Sequence, residues 1–364
     1  MADWLSSMQQ TFEYYTVDPG TWKDVKRLTT VKSCTINRDS SAETLGSATL
    51  NVTESFGECY VRIYLVTIQN GLRERHPLGT FLAQTQPSSF DGKVQSVSVD
   101  AYTPLLELKE NPPPIGYSLL KDDNIMSKAY LIVRDNVRAP VVPVESDKTL
   151  YSDFVANTSD TWLTFASDLV DNAKYYLDLD EMGRILFAPK QDMASLQPVW
   201  TYDDDDKSII YSNLTIDRDL YGIPNVIELV YSNGFYDEDD GITKYHLTVV
   251  NDDPNSPVST INRGRPITHK VVNPNISGVS GATIMTKSVV RDYANQLLRE
   301  LSTLVCTISY SHGYCHVRPN DCVRINYRKA GLIGVKAKVI SQSIRCESGC
   351  QVSEKAVFVN NLWR

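Results

Sequence analysis

Two acidic runs stand out, Asp203-Asp204-Asp205-Asp206 and Asp237-Glu238-Asp239-Asp240-Gly241. Paired carboxylates can act as general acid and base on a glycosidic bond, and oxygen ligands can hold a hard cation. Neither run alternates its ligands toward a closing bidentate carboxylate, so both read first as solvated loops. An acid pair drawn from them stays open as an alternative, a cell-wall or carbohydrate-degrading enzyme. That alternative requires a buried acid beside aromatic residues with a raised pKa. Seven cysteines are present, and five of them (Cys306, Cys315, Cys322, Cys346, Cys350) crowd the C-terminal end. Cys346-x-x-x-Cys350 is one close pair, and Ser311-His312-Gly313-Tyr314-Cys315-His316 adds imidazoles and a thiol. A structural zinc site wants four such ligands from paired close spacings. Reduced thiols serving as small apolar side chains, a Cys346–Cys350 disulfide formed in oxidising surroundings, and zinc all remain open. His76, His246 and His269 have no partner pattern.

Arg263-Gly264-Arg265-Pro266 is the one compact basic element; it reads as an exposed loop or as a guanidinium fork for a neighbouring subunit's carboxylate. The stretch from Gly278 to Lys287-Ser288 lacks the glycine spacing of a phosphate loop and reads as the entry to a helix. No serine nucleophile elbow and no zinc-protease helix occurs. The expectation is therefore a non-enzyme, with no catalytic, cofactor-binding or metal residue assigned and no cofactor.

The elements around these residues follow two periods. From about Thr29 to Tyr102 the period is two: Ala48, Leu50 and Val52, then Val61, Ile63 and Leu65, then Val97, Val99 and Ala101 alternate with polar neighbours. This predicts strands with one buried face, separated by turns at Asn70-Gly71, Gly79 and Asp91-Gly92. Thr103–Lys109 reads as a short helix stopped by Asn111-Pro112-Pro113-Pro114, and residues 116–136 read as helical. Asp160 is the expected N-cap of a helix whose stripe is Trp162, Phe165, Ala166, Leu169 and Ala173. Strands are expected at 184–188, 226–231 and 245–250, and a long helix over 284–303. Period two then returns at 305–311, 322–327, 335–339 and 352–359, with Cys322 and Val323 on opposite faces.

The expected fold class is α+β: two small antiparallel β-barrels flank a mixed middle, as modules 1–110, 111–283 and 284–364. A length of 364 residues, with 42% hydrophobic and 22% charged residues, suits several packed cores. The formal net charge of −8 argues against a dedicated nucleic-acid binder. No signal-like leader and no apolar run of membrane-spanning length is visible, so the expectation is cytosolic synthesis without a membrane anchor.

Several stretches resemble a known family. Leu78-Gly79-Thr80-Phe81-Leu82-Ala83 resembles its "L-G-x-[FY]" strand, followed by Asp100-Ala101-Tyr102 and the leucine-rich Leu105-Leu106-Glu107-Leu108. The helix Trp162–Tyr176 followed by Asp180–Pro189 is similar to its insert. Gly222-Ile223-Pro224-Asn225-Val226-Ile227 resembles its "P-N-V-[IV]" strand start, and Arg318-Pro319-Asn320-Asp321-Cys322-Val323-Arg324-Ile325 its "G/N-D-x-V-x-[IL]" strand. The family is the baseplate or tail-tip hub of long-tailed phages, which also resembles the base of type VI secretion spike proteins. The resemblance implies two tube-like domains per chain and a homotrimeric ring. It further implies a virion tail location between a tail tube or distal tail ring and a central spike, with baseplate wedge or tail-fibre proteins as further neighbours. DNA would pass through the channel without specific binding. A host-receptor-binding tail module is the remaining alternative.

Overall fold

The computed structural model describes residues 2–93, 95–191, 193, 195–205, 208–232, 243–274 and 286–362. The chain divides into two compact units, Met1–Leu214 with Ser309–Ala356, and Thr215–Ile308 with Val357–Arg364. Among the described residues the fold is mostly β; its α-helices lie between residues 106 and 172 and between 260 and 301.

The first unit opens with β1 (Gln9–Val17), β2 (Asp24–Leu28), β3 (Val31–Asp39), β4 (Gly46–Val52), β5 (Cys59–Gln69), β6 (Leu72–Thr85), β7 (Ser88–Phe90) and β8 (Gln95–Tyr102). Asn70 and Gly71, both at positive φ (52° and 79°), close the β5–β6 hairpin as a two-residue turn whose twist matches the strands. In β4 and β8 the alternation holds, with Ala48, Leu50, Val52, Val97, Val99 and Ala101 all buried. In β5 it does not. Every residue from Tyr60 to Thr67 is buried, because Arg62 finds partners for its charge and both faces are covered.

The middle region then adds α1 (Leu106–Glu110), β9 (Ser118–Leu119), α2 (Ile125–Asn136), β10 (Phe154–Val155), α3 (Trp162–Asn172), β11 (Tyr175–Leu179) and β12 (Ile185–Pro189). The stripe of α3 packs with Leu105, Leu108, Ile125, Ala129 and Val133 into one apolar core floored by the β11–β12 hairpin. Helix α2 begins only at Ile125, short of the expected run from 116. Residues 118–119 pair as a strand, Asp122 takes a positive φ, and the Asn124 side chain caps Ser127 N–H at 2.9 Å. Helix α3 is capped by Thr161 in a reciprocal box with Thr164, not by Asp160. Asp160 instead accepts from the Asn157 amide at 2.7 Å, closing the turn before the cap.

After β13 (Pro198–Asp203) and β14 (Ile210–Arg218), the second unit is built on β15 (Val226–Tyr231). This strand runs antiparallel to β16 (Tyr245–Val250) and, beyond the short α4 (Thr260–Arg263), parallel to β17 (Thr268–Val272). Helix α5 (Lys287–Leu301) lays Val290, Ala294 and Leu298 on Ile227, Leu229, Tyr231 and Leu247. Expected residues 284 and 285 of this helix lie outside the described residues.

Finally β18 (Thr303–Gly313), β19 (Cys322–Tyr327), β20 (Leu332–Arg345) and β21 (Gln351–Asn361) extend the main sheet. Its order is β14-β18-β21-β20-β3-β4-β8-β6-β5-β1-β2, with β19 on β20 and β13 parallel to β19. The division between units falls within β14, β18 and β21. N-terminal and C-terminal strands thus meet where β20 pairs antiparallel with β3. The α+β class accords with this; among the described residues the pairings form an open path and no closed barrel. Cys322 and Val323 are both buried although they point to opposite faces of β19, and cover on the Cys322 face stops short of the exposed Arg324. Among the described residues no helix is long and apolar enough to cross a membrane.

Candidate functional site

Three of the stretches singled out in the sequence meet at one joint of the first unit. Leu78–Phe81, Asp178–Glu181 with Gly183, and Arg318–Asn320, with Asn37 and Arg38, line a cavity of about 60 Å³. That holds a few waters and is far below the size of a substrate pocket. The Leu-Gly-x-Phe spacing has a steric cause here. A Cβ on Gly79 would come 2.4 Å from the Phe81 ring, which lies over the glycine two residues away on the same face of β6. Gly183 has a φ of +76°, and a Cβ there would sit 2.7 Å from Thr80. The turn it allows points Met182 O at β1–β5, where it accepts from Trp22 Nε1 at 2.7 Å and Arg62 Nη2 at 3.2 Å. Arg62, 1% exposed, also donates to Thr80 Oγ1 and to Asp24 at 2.8 Å, so its buried charge is paired.

Arg318 reaches Glu181 at 3.4 Å and Asp178 at 3.6 Å, while its own N–H donates to Asp321 at 2.8 Å. Burial raises the Asp178 and Asp321 carboxyls; Arg318 and main-chain N–H groups pull the other way. Asn320 sits at a φ of 74°, so the Pro-Asn-Asp run is a tight turn feeding β19. In the second unit, Asn225 of the Pro-Asn-Val run is wholly buried. It donates to the carbonyls of Val258 and Arg265 (3.1 Å each) and accepts from Ile267 N–H at 2.6 Å, tying a long loop to the start of β15.

A second polar cluster lies inside the first unit. Tyr310 donates to Glu354, Gln342 Nε2 donates to Glu354 at 2.6 Å, and His312 Nε2 lies 3.3 Å from Glu354 and 3.1 Å from the Tyr202 hydroxyl. His312 Nδ1 donates to Gly313 O at 2.7 Å. Burial alone would push the imidazole down, but Cys315 and the Glu354 carboxylate outweigh it and hold it at about 10, so it is an imidazolium. Burial raises the Tyr202 and Tyr310 hydroxyls far above their usual range. A thiol, an imidazole and a carboxylate together invite comparison with a nucleophilic triad. The geometry is wrong for one: Cys315 Sγ is 4.0 Å from Nδ1, which is already donating to a carbonyl, and His312, Cys315 and Glu354 are at most 1% exposed. This is a satisfied polar core.

Several of the remaining candidates are also occupied within the chain. Asp203 accepts from Asn326 at 2.7 Å and Asp204 from the Arg328 amide at 2.8 Å, so these acids fasten the end of β19. Asp206 and the run Asp237–Asp240 lie outside the described residues, as do residues 278–285 of the phosphate-loop look-alike. Arg263 donates to Ile223 O at 3.0 Å and Leu220 O at 2.9 Å, and Gly264 supplies the left-handed cap of α4. His246 pairs with Glu228 at 3.2 Å on the surface. His76 joins His316 around Trp4, with ring centroids 5.0–5.2 Å apart. All seven cysteines are free thiols, and among the described residues no three His, Cys, Asp or Glu side chains converge as a metal site. Sequence reasoning passed over Glu354, although its phase was visible: Val352, Glu354, Ala356 and Phe358 share the inward face of β21.

The backbone has close counterparts. The chain superposes on a tail protein from Neisseria meningitidis MC58 with a TM-score of 0.61 at 13% identity, over 98% of both chains. It matches the 43 kDa tail protein of prophage MuSo2 from Shewanella oneidensis equally well, TM-score 0.61 at 12% identity over 96% of this chain and 98% of that one. The chain has the tail-protein fold. A chain of the Francisella PdpA–VgrG complex shares it at a TM-score of 0.54 and 8% identity, over 98% of this chain but 53% of that longer one. No family model and no curated protein matches the sequence. At such identities the likeness is one of fold.

Proposed function

We propose that the chain is a structural subunit of a phage-type tail, the hub at the tip of the tail tube, located in the virion tail and made in the host cytoplasm. The observation that carries this reading is the tail-protein fold over 98% of this chain and of its Neisseria counterpart, with no large part of either left over. Several side chains that could have done chemistry support it in a second way, since Asp203, Asp204, Arg263 and Arg318 are engaged in holding turns or strand ends. In the proposed assembly three copies form a ring, each giving an N-terminal and a C-terminal β module, so that six similar modules face a sixfold tube and three chains face a central spike. The ends of the strand path, β2 and β14, are the edges such a heterologous ring would use. An acidic chain of net charge −8 suits a channel wall past which DNA slides without binding. Tube or distal-tail proteins, the spike, and wedge or fibre proteins are the proposed neighbours.

The test is the mass of the purified protein by light scattering, with images of the particles. The mass of three chains and a ring with a central channel is expected. A monomer at all concentrations, or hydrolysis of bacterial cell walls that an acid-to-Asn change abolishes, would overturn the hub.

A further inference from the structure

The β3–β20 seam carries a chemical feature of its own. Its register pairs Ile36 with Ile344 and Thr35 with Arg345, and continuing it by one residue sets Cys34 opposite Cys346. The Cys346 amide donates to Cys34 O at 2.9 Å, so the ladder does reach this pair. Directly opposed residues of an antiparallel pair project to the same face, with Cα atoms roughly 4.5–5.5 Å apart, inside the range of about 4.4–6.8 Å that a disulfide spans. Both residues are buried, and the neighbouring Cys34 together with burial pushes the Cys346 thiol well above its usual range. Tyr14 of β1 lies near both and near Cys350, which follows the short turn beginning at Glu347.

We propose that Cys34 and Cys346 form a cross-strand disulfide when the protein meets a small soluble disulfide, covalently joining the N-terminal strands to the C-terminal ones. In the first step one cysteine sulfur attacks the reagent disulfide, forming a mixed disulfide and releasing one reagent thiolate. The opposed sulfur then displaces the second reagent thiolate, and the two cysteine protons end on the two released thiols. The protein pair is oxidised by two electrons and the reagent reduced by two. Cys346 is the buried partner with the most open access, 8% against 4% for Cys34, and is the expected point of entry. This pairing differs from the local Cys346–Cys350 bridge that spacing alone suggests. It rests on strand register and holds whichever role the protein plays.

The full-length protein is incubated with oxidised glutathione, its free thiols are counted in denaturant, and its non-reduced peptides are mapped by mass spectrometry. Two of the seven thiols are expected to disappear, with a linked peptide pair carrying Cys34 and Cys346. The melting temperature should rise by about 5–10 °C, because closing so long a loop restricts the unfolded chain, and reduction should reverse the shift. Cys350→Ser should retain both effects and Cys34→Ser should lose both; should Cys34→Ser fail to fold, the wild-type peptide map decides alone. A Cys346–Cys350 linkage, glutathione adducts without a bridge, or seven free thiols after prolonged exposure would each overturn the proposal.

Discussion

Glu354 is a carboxylate almost closed off from water, and its partners all lie within the protein. Tyr310 and Gln342 donate to it, and the His312 imidazolium balances its charge. Glu354→Gln would leave that imidazolium buried without a counter-charge, which costs about 3–5 kcal/mol for a broken buried pair. Urea unfolding should show a loss of that order. The pH dependence gives a sharper readout. His312 is held at about 10, above its ordinary 6.5, so its stabilisation is complete below pH 6.5 and is lost as pH rises toward 10. The wild-type melting temperature should therefore fall across that window, and Glu354→Gln should flatten the slope; an unchanged slope would assign it elsewhere. Gly183 offers an independent residue-scale test. Alanine there must hold a φ of +76° and push against Thr80, so Gly183→Ala should cost about 1–3 kcal/mol by the same unfolding measurement.

Single elements show where sequence was informative and where it was not. Strands β15, β16 and β19 appear where the sequence places them; β16 alternates throughout, while β15 and β19 each open with two adjacent buried residues before alternation sets in. Helix α3 was legible as a stripe but not at its start. Asp160 and Thr161 are both good caps, and only the tertiary setting, in which Asp160 is drawn back to Asn157, decides between them. Thr161→Ala should cost about 1 kcal/mol, while Asp160→Ala should stay within about 0.5 kcal/mol of wild type. Equal losses would show that both residues act as caps. Strand β1 carries Gln9-Gln10-Thr11 and Glu13 on a stretch with little alternation, and its place comes from pairing with β5 across its whole length. The parallel pairing of β13 with β19, and the burial of Arg62 inside β5, depend on partners far along the chain. No local pattern encodes such partners, which is also why Gly79 read as a turn although it lies inside β6, under the Phe81 ring.

At the scale of the molecule, the first unit is assembled from both ends of the chain, and this sets an order of events. The core of α1, α2, α3 and the β11–β12 hairpin draws on residues 105–187, so it is complete once the middle region has been made. Strand β3 is different. Its outer neighbour is β20, more than three hundred residues later, and until β20 arrives Cys34 and Ile36 lie on a strand with one open edge. Such long-range closure is slow, and an open apolar edge invites pairing with another chain. A chain ended after Leu301 should therefore keep the helical signal of the middle region while binding a hydrophobic dye and forming mixed oligomers. Adding the missing segment 302–364 as a separate polypeptide should suppress both by restoring the edge partner. Hydrogen exchange provides the discriminating measurement: in the shortened chain, amides of β3 should lose protection while those of α2 and α3 keep theirs. Uniform loss across both regions would mean that the middle core depends on the closing strands, and uniform retention that β3 needs no partner from the C-terminal end.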